Sequence, residues 1–160
     1  MLKKLFSTAA LAVTILLPLQ AHAADEDFVT KAAQGSAAEV AAGNLAKTKG
    51  SSEAVRQFGT KMVADHSKSG EELKAVASKK GMTVPTTPDD KHQKAMSKLE
   101  GMSGADFDKA FKSQMVADHE DTIALFEKQA KSGKDADLKA FAQKTLPDLK
   151  HHLEMAKALK

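Results

Sequence analysis

The stretch Phe58-x-x-x-Met62-Val63-Ala64-Asp65-His66 recurs as Phe111-x-x-x-Met115-Val116-Ala117-Asp118-His119. The copies share six residues at an offset of 53 positions, in a chain with only six histidines and seven phenylalanines. Such a match is improbable by chance, so the chain is predicted to contain two related helical hairpins. Each copy also carries an Asp-His pair beside apolar residues, which marks a candidate place for chemistry.

The rest of the chain is typical of an all-α fold. Apolar residues recur every three or four positions, and no stretch alternates long enough to indicate a strand. We expect four long helices near residues 25–48, 52–80, 104–132 and 135–159, and a short helix near 88–100. Start signals precede three of them: Gly50-Ser51-Ser52, Thr87 as a cap with Pro88 as the first helical residue, and Ser103.

The lengths of the connections favour one topology. The predicted loops after the first and third long helices are short, whereas the second and third are joined by an irregular stretch from Gly81 to Pro88 and the short helix. A ferritin-like four-helix bundle has a long crossover at this point. An up-down bundle with an ordinary long loop stays open as the alternative. Pro147 is predicted to kink or loosen the last helix.

The first residues have the form of an export signal. Lys3 and Lys4 precede a mostly apolar run from Leu5 to Leu19, and Ala21-His22-Ala23 supplies the small residues of a cleavage site. The run is shorter than the roughly 20 residues of a membrane-spanning helix. We therefore predict a signal peptide over 1–23 and a soluble periplasmic or exported domain over 24–160. The absence of cysteine excludes a lipid anchor and disulfides.

Charge and motifs exclude several classes of function. Removal of the two signal lysines leaves 22 basic and 21 acidic residues, and these are interleaved along the chain. With few aromatic residues besides, this pattern argues against a nucleic-acid partner. No Gly-x-Ser-x-Gly motif or glycine-rich phosphate loop is present, so hydrolase and nucleotide-binding functions have no basis in the sequence.

Several polar residues fall on or beside the apolar helical stripes. A carboxylate in such a position needs a partner when buried. On the last helix the stripe places one histidine inward and its neighbour His151 outward. The polar residues that the stripes direct inward are Glu39, Asp65, His66, Asp118, His119 and His152.

The chain resembles a family through four stretches: residues 28–46 with Gly35 and Glu39, the two Met-Val-Ala-Asp-His copies, and the tail over 146–153. The family is the exported bacterial domain of unknown function number forty-one forty-two, whose members are often labelled outer-membrane proteins. It is placed in the ferritin-like superfamily. The resemblance covers nearly the whole mature chain, and it implies fold and compartment more than a reaction.

The chain departs from the di-iron pattern of ferritin-like proteins. Those sites use Glu-x-x-His pairs, but the residues three positions before the histidines at 66, 119 and 152 are Val63, Val116 and Leu149. None of these side chains binds iron. An oxidase or iron-storage function is therefore not carried over.

Two interpretations of the histidines stay open. In one, His66 and His119 hydrogen-bond to a carboxylate or backbone carbonyl and fix the packing. In the other, His66, His119 and His152 bind a single zinc, copper or iron ion, with Glu39 as an oxygen ligand or as a partner behind the ligands. No other cofactor is indicated.

The remaining candidates have plainer interpretations beside the functional one. Asp65 and Asp118 are predicted to face solvent or a lysine, or else to support the histidines from behind. A copper(I) site is the less favoured interpretation of the six methionines after residue 23. Two of them, Met62 and Met115, lie on the apolar stripes and are predicted to pack in the core. His92 is predicted to stand alone on the surface.

The sequence as a whole predicts an exported helical-bundle protein that acts in binding or in envelope stress and is not an enzyme. A metal-binding protein with a core His/Glu site, with or without redox activity, is the second interpretation. A small helical chaperone is the third. The expected partners are an envelope protein or a metal ion.

Overall fold

A computed structural model describes residues 17–160, with side chains from residue 23 onward. Within this range the fold is all-helical. Its helices are α1 (Leu17–Lys49), α2 (Glu53–Ser78), α3 (Asp90–Glu100), α4 (Gly104–Ser132) and α5 (Ala136–Ala158). The five predicted helices are confirmed, and their ends agree within two residues except at the start of α1.

The first helix starts earlier than the sequence predicted. It begins at Leu17 instead of near residue 25. Pro18 lies in the first turn, where the backbone N–H of any residue makes no hydrogen bond within the helix, so proline is tolerated there. Most of the residues that follow favour helix formation. The predicted signal peptide lies mainly outside the described residues and stays a prediction. Within the described part of the chain, no helix is both long and apolar enough to cross a membrane.

The start of α3 differs from the predicted cap. Asp89, and not Thr87, is the N-cap, and its carboxylate accepts a 2.9 Å hydrogen bond from the backbone N–H of His92. Pro88 therefore lies before the helix. A carboxylate at this position also interacts favourably with the positive end of the helix dipole, which explains why Asp89 prevails over Thr87. In α5, by contrast, the helix continues through Pro147.

The long helices pack in a definite order. α1 packs most extensively on α2, and α4 on α5, while smaller contacts join α1 to α4 and α2 to α5. A parallel bridge between Gly50 and Gly104 places the end of α1 beside the start of α4. Because α2 also starts at that end, the segment over 79–103 has to return along the length of the helices.

The repeated phrase lies on α2 and α4, which face each other across the interior. The rings of Phe58 and Phe111, which are equivalent in the two copies, have centroids 6.1 Å apart. Two helical hairpins are present, α1–α2 and α4–α5. The phrase lies on the second helix of one and on the first helix of the other, so it does not relate the two hairpins position by position. The repeated phrase therefore relates one helix of each hairpin, α2 in the first and α4 in the second.

Two buried carboxylates join the helix ends to the turns beside them. At one end, Asp108 of α4 accepts hydrogen bonds from the backbone N–H groups of Ser51 and Ser52, at 2.9 Å each, and from the Ser51 hydroxyl at 2.7 Å. Ser52 in turn caps α2. At the other end, Asp25 of α1 accepts from the side chain of Gln129 at 2.8 Å and from two backbone N–H groups of the α4–α5 turn.

The apolar core consists of two clusters stacked along the helices. One contains Phe28, Val29, Ala32, Ala33, Leu73, Ala77, Met82, Phe126, Leu138, Phe141, Ala142 and Leu149. The other contains Ala42, Ala46, Val55, Phe58, Met62, Leu99, Phe107, Phe111, Met115, Ala156 and Leu159. Along each long helix, the sequence between its two core segments passes through a polar layer.

Candidate metal centre

The polar layer contains one side chain from each long helix. Glu39 of α1, His66 of α2, His119 of α4 and His152 of α5 are 1, 4, 0 and 2% exposed. The adjacent His151 is exposed, as the stripe on the last helix predicted. The structure thus brings together the four residues that the sequence proposed as metal ligands.

A close approach of α1 and α2 positions Glu39 against His66. The backbones meet at Gly43 and Gly59, where a Cβ built on either glycine would lie 2.7 Å from the carbonyl oxygen of the other. Gly43 is one helical turn beyond Glu39, and Gly59 is two turns before His66. Any larger residue at this crossing would force the helices apart and move the carboxylate away from the imidazole.

The three imidazole rings surround one point. Their centroids are 5.6 Å apart for His66 and His119, 5.3 Å for His66 and His152, and 5.6 Å for His119 and His152. One ligand atom from each lies within 4.8 Å of the others. Imidazoles that share an ion at about 2.0 Å have ring centroids about 5 to 5.5 Å apart, so the spacing of the rings fits a single ion.

A hydrogen bond at one nitrogen of each imidazole fixes the orientation of the ring. His66 Nδ1 lies 2.8 Å from Glu39 Oε2, His119 Nδ1 lies 2.8 Å from the Met115 carbonyl oxygen, and His152 Nε2 lies 2.8 Å from Asp65 Oδ2. Carbonyl and carboxylate oxygens only accept, so each of these ring nitrogens carries the proton. In a neutral ring the other nitrogen then holds a lone pair.

The opposite nitrogens are the ones without partners. His66 Nε2, His119 Nε2 and His152 Nδ1 are buried and make no hydrogen bond. A buried polar atom left unsatisfied costs about 1 to 3 kcal/mol. Glu39 Oε1 is also buried without a hydrogen bond, so the layer contains four such atoms. They are expensive for a purely structural role, and one cation shared by the rings would satisfy the three nitrogens.

The charges of the layer favour an ionised Glu39 and a neutral His152. Burial opposes the charge on Glu39, but the charge and hydrogen bond of His66, with the charges of His119 and His152, prevail and lower the pKa of Glu39 to about 2. Burial and the neighbouring His66 lower the pKa of His152 to about 4. His152 is thus neutral at pH 7, which is the form that binds metals.

His66 titrates in the opposite direction. Burial disfavours its charge, yet the Glu39 carboxylate outweighs burial and raises the pKa of His66. Glu39 Oε1 is also 3.4 Å from His119 Nδ1, so the carboxylate lies at the Nδ1 edges of both rings. The free nitrogens are at the opposite edges. Of the two roles the sequence left open for Glu39, this geometry favours the partner that supports the ligands.

The two aspartates of the repeat have different surroundings. Asp65 accepts from His152 and from Lys61, at 2.8 Å each, and its side chain is 38% exposed. It therefore combines the lysine contact and the supporting role that the sequence considered. Asp118 does not face solvent as the sequence predicted, because it is 5% exposed and accepts a 2.8 Å hydrogen bond from the Gln114 side chain. Burial raises the pKa of Asp118.

His92 is not the isolated surface residue that the sequence predicted. Its side chain is only 16% exposed, with Nδ1 2.8 Å from Asp89 and Nε2 3.8 Å from Asp118. The contact joins the crossover helix α3 to α4. Sequence reasoning missed it because the pairing of a short connecting helix with a distant long helix leaves no periodic signal.

The described chain is therefore an all-helical protein with a buried cluster of three histidines. The chain belongs to the family described as Domain of unknown function (DUF4142), whose model matches residues 17–159. This match confirms the family resemblance seen in the sequence. No curated protein and no solved structure matched the chain.

Proposed function

We propose that this protein binds one transition-metal ion through His66, His119 and His152. Glu39 and Asp65 support two of the imidazoles, and a backbone carbonyl supports the third. Metal-binding histidines usually have such a partner, which fixes the ring and makes the free nitrogen a better ligand. The observation that carries the proposal is the set of three buried ring nitrogens, one from each histidine, that make no hydrogen bond.

The donor set narrows the choice of ion. Imidazole nitrogen suits zinc, copper, iron and nickel, whereas iron(II) centres of the non-haem type add a carboxylate ligand. Among the described residues, the carboxylates that contact the rings are those of Glu39 and Asp65, and each contacts a ring nitrogen other than the free one. Zinc and copper are therefore favoured over iron.

Burial favours a binding function over catalysis. The three histidines are at most 4% exposed, and apolar clusters close the layer on both sides. A surface cavity between α1, α2 and the segment over 84–88 is lined in part by His66, but the side chain of His66 is only 5% exposed. The protein is thus proposed to hold or carry its ion.

Fixed packing is the rival interpretation of the same residues. It explains one hydrogen bond for each histidine, but it leaves the second nitrogen of every ring buried and unsatisfied. A core of three leucines would avoid that cost. Metal binding accounts for both edges of each ring, and for that reason it is preferred.

The setting of the site is also proposed. The neighbour relations among the long helices, together with the return of the 79–103 segment along their length, support a ferritin-like four-helix bundle with a crossover. The N-terminal signal pattern supports export to the periplasm. A donor set without thiolates suits that oxidising compartment. A part in envelope stress stays a prediction.

The test is elemental analysis of untagged protein purified from its native compartment. We expect about one zinc or copper ion per chain, lost in a His66→Ala, His119→Ala double variant. His151→Ala is the matched control, because that histidine is adjacent to a proposed ligand but exposed. If native protein holds no metal and apoprotein takes up neither zinc nor copper, while the double variant only loses stability, the histidines serve packing.

A further inference from the structure

A surface cavity extends to one of the proposed ligands. It has a volume of about 490 Å³, it lies between α1, α2 and the segment over 84–88, and His66 forms part of its lining. Of the three proposed ligands, His66 has the most exposed side chain, whereas that of His119 is fully buried. The cavity therefore leads from the surface to a residue of the polar layer.

The walls of this cavity leave room for a hydrated ion. A water molecule occupies about 30 Å³ in the liquid, so an ion with about six waters needs about 200 Å³, which is less than the volume of the cavity. The Ser36 hydroxyl also donates a 2.8 Å hydrogen bond to the backbone carbonyl oxygen of His66, so the two walls are joined beside the ligand. Small residues of α1 and α2 form much of the lining: Ala33, Ser36, Ala37, Ala41, Ser67 and Gly70.

The segment that covers the cavity is held at its ends more than in its middle. Met82 belongs to a core cluster at one end, and Asp89 caps α3 at the other. Within the described chain, no hydrogen bond joins residues 83–87 to the helices, and Val84 supplies the apolar contact with the core. Segments with few hydrogen bonds and few buried contacts open at a low free energy. Residues 83–87 can thus move while the helices stay packed.

Separation of the long helices is the other way for an ion to reach the rings. It would expose the apolar clusters that close the layer on both sides. The free energy of such exposure grows with the apolar area that meets water. Movement of residues 83–87 exposes far less, because Val84 is already half-buried. The cavity is therefore the path with the lower barrier.

From these observations we infer that the ion enters and leaves the centre through this cavity, past His66, and that residues 83–87 control the rate of its passage. The inference rests on the proposed function, because it concerns access to that same site. A path determines how fast an ion exchanges and not how tightly it is held, since a change in the barrier alters the rate constants of both directions by the same factor.

The experiment measures the kinetics of zinc binding to the mature apoprotein. Stopped-flow mixing with zinc and a fluorescent zinc indicator gives the association rate constant, and transfer of bound zinc to a chelator gives the dissociation rate constant. In Ala37→Phe, a bulky ring narrows the cavity. Both rate constants should fall by at least about tenfold, while their ratio, the dissociation constant, changes by less than about threefold.

Ala140→Phe is the matched control. It places the same ring in a cavity of about 450 Å³ between α2 and α5, whose lining contains no residue of the polar layer. Its rate constants should stay within about twofold of the wild type. Circular dichroism verifies that both variants fold.

Two further measurements do not depend on the folding of Ala37→Phe. Pro85→Gly loosens the covering segment, because glycine lacks the fixed backbone angle of proline. It should raise both rate constants by about two- to fivefold without a change in affinity. In the wild type, the association rate constant should stay nearly constant in urea below the unfolding transition, because passage through the cavity exposes little new surface.

Each result decides between distinct conclusions. Unchanged rate constants in Ala37→Phe and Pro85→Gly, or an association rate constant that rises steeply with urea, overturn this path and leave metal binding in place. A fall in affinity without slower association in Ala37→Phe also overturns it, because the cavity then affects how the ion is held. If the apoprotein binds neither zinc nor copper, the proposed function and this inference fail together.

Discussion

Gly59→Ala tests whether the close approach of α1 and α2 positions the metal centre. The added Cβ would lie 2.7 Å from Ala46 Cβ, 2.7 Å from the Gly43 carbonyl oxygen and 3.3 Å from the Lys47 backbone nitrogen. Two of these atoms belong to the backbone of α1, so no side-chain rotation relieves the overlap. Overpacking of this kind costs about 1 to 3 kcal/mol.

The higher helix propensity of alanine partly offsets the cost of this overlap. Alanine is favoured over glycine in a helix interior by about 1 kcal/mol. The overlap involves two atoms at distances that real Cβ contacts do not reach, so we place its cost at the upper end of the range. The free energy of unfolding should fall by about 1 to 2 kcal/mol after propensity is included, as measured by urea denaturation of the apoprotein.

Gly35→Ala is the matched control because it makes the same change in a helix with room for it. The nearest atom to its added Cβ is the Thr122 hydroxyl at 3.8 Å, an ordinary contact. Only the propensity effect remains, and stability should rise by about 0.5 to 1 kcal/mol. The two substitutions are therefore expected to have opposite signs.

The same variant should also weaken metal binding. Separation of α1 from α2 lengthens the 2.8 Å contact between Glu39 and His66, and loss of such a supporting contact costs about 10- to 100-fold in metal affinity. Titration of the apoprotein with zinc in competition with a fluorescent zinc indicator measures the affinity. If Gly59→Ala is as stable as the wild type, or more so, the helices are not held at the distance that the backbone contact implies, and this account of the site is refuted.

Three further substitutions have defined outcomes. Asp65→Asn removes the charge behind His152 and should weaken metal binding about tenfold in the same titration. Asp108→Ala removes three hydrogen bonds and should lower the free energy of unfolding by about 2 to 3 kcal/mol at pH 7, as measured by urea denaturation. Burial opposes the charge of Asp108, but the hydrogen bonds from Ser51 outweigh burial and lower its pKa. The difference between variant and wild type should therefore shrink as the pH falls below 3.8, the pKa of this carboxyl in the unfolded chain. Asp118→Asn should raise the free energy of unfolding at pH 7. Burial raises the pKa of Asp118, so the wild type loses stability as the pH rises above 3.8, whereas the neutral amide does not. Equal stability of variant and wild type at pH 7 contradicts this prediction.

The helices and the inward polar residues follow from local patterns. Periodicity of three and four placed Glu39 and His152 on the correct faces, and the predicted ends of α4 match the observed Gly104–Ser132. Such features depend on residues within a few turns of one another. For that reason they can be read from the chain without knowing how the helices pack.

Long-range capping could not be read in the same way. Asp108 and Asp25 are ordinary acidic residues in the sequence, but each holds a turn from a distant segment. The pairing of His92 with Asp118 depends on where the crossover helix lies against α4. Polar contacts of this kind have no period, since they depend on tertiary distances.

The sequence by itself determined five helices, the faces they bury and the presence of three histidines and a glutamate on those faces. Only the tertiary structure decided that Glu39 and Asp65 lie behind the rings and that three ring nitrogens are left without a partner. Helical periodicity fixes a direction to within about a third of a turn. Which edge of an imidazole meets a carboxylate is a matter of a few ångströms between different helices, and packing alone sets that distance.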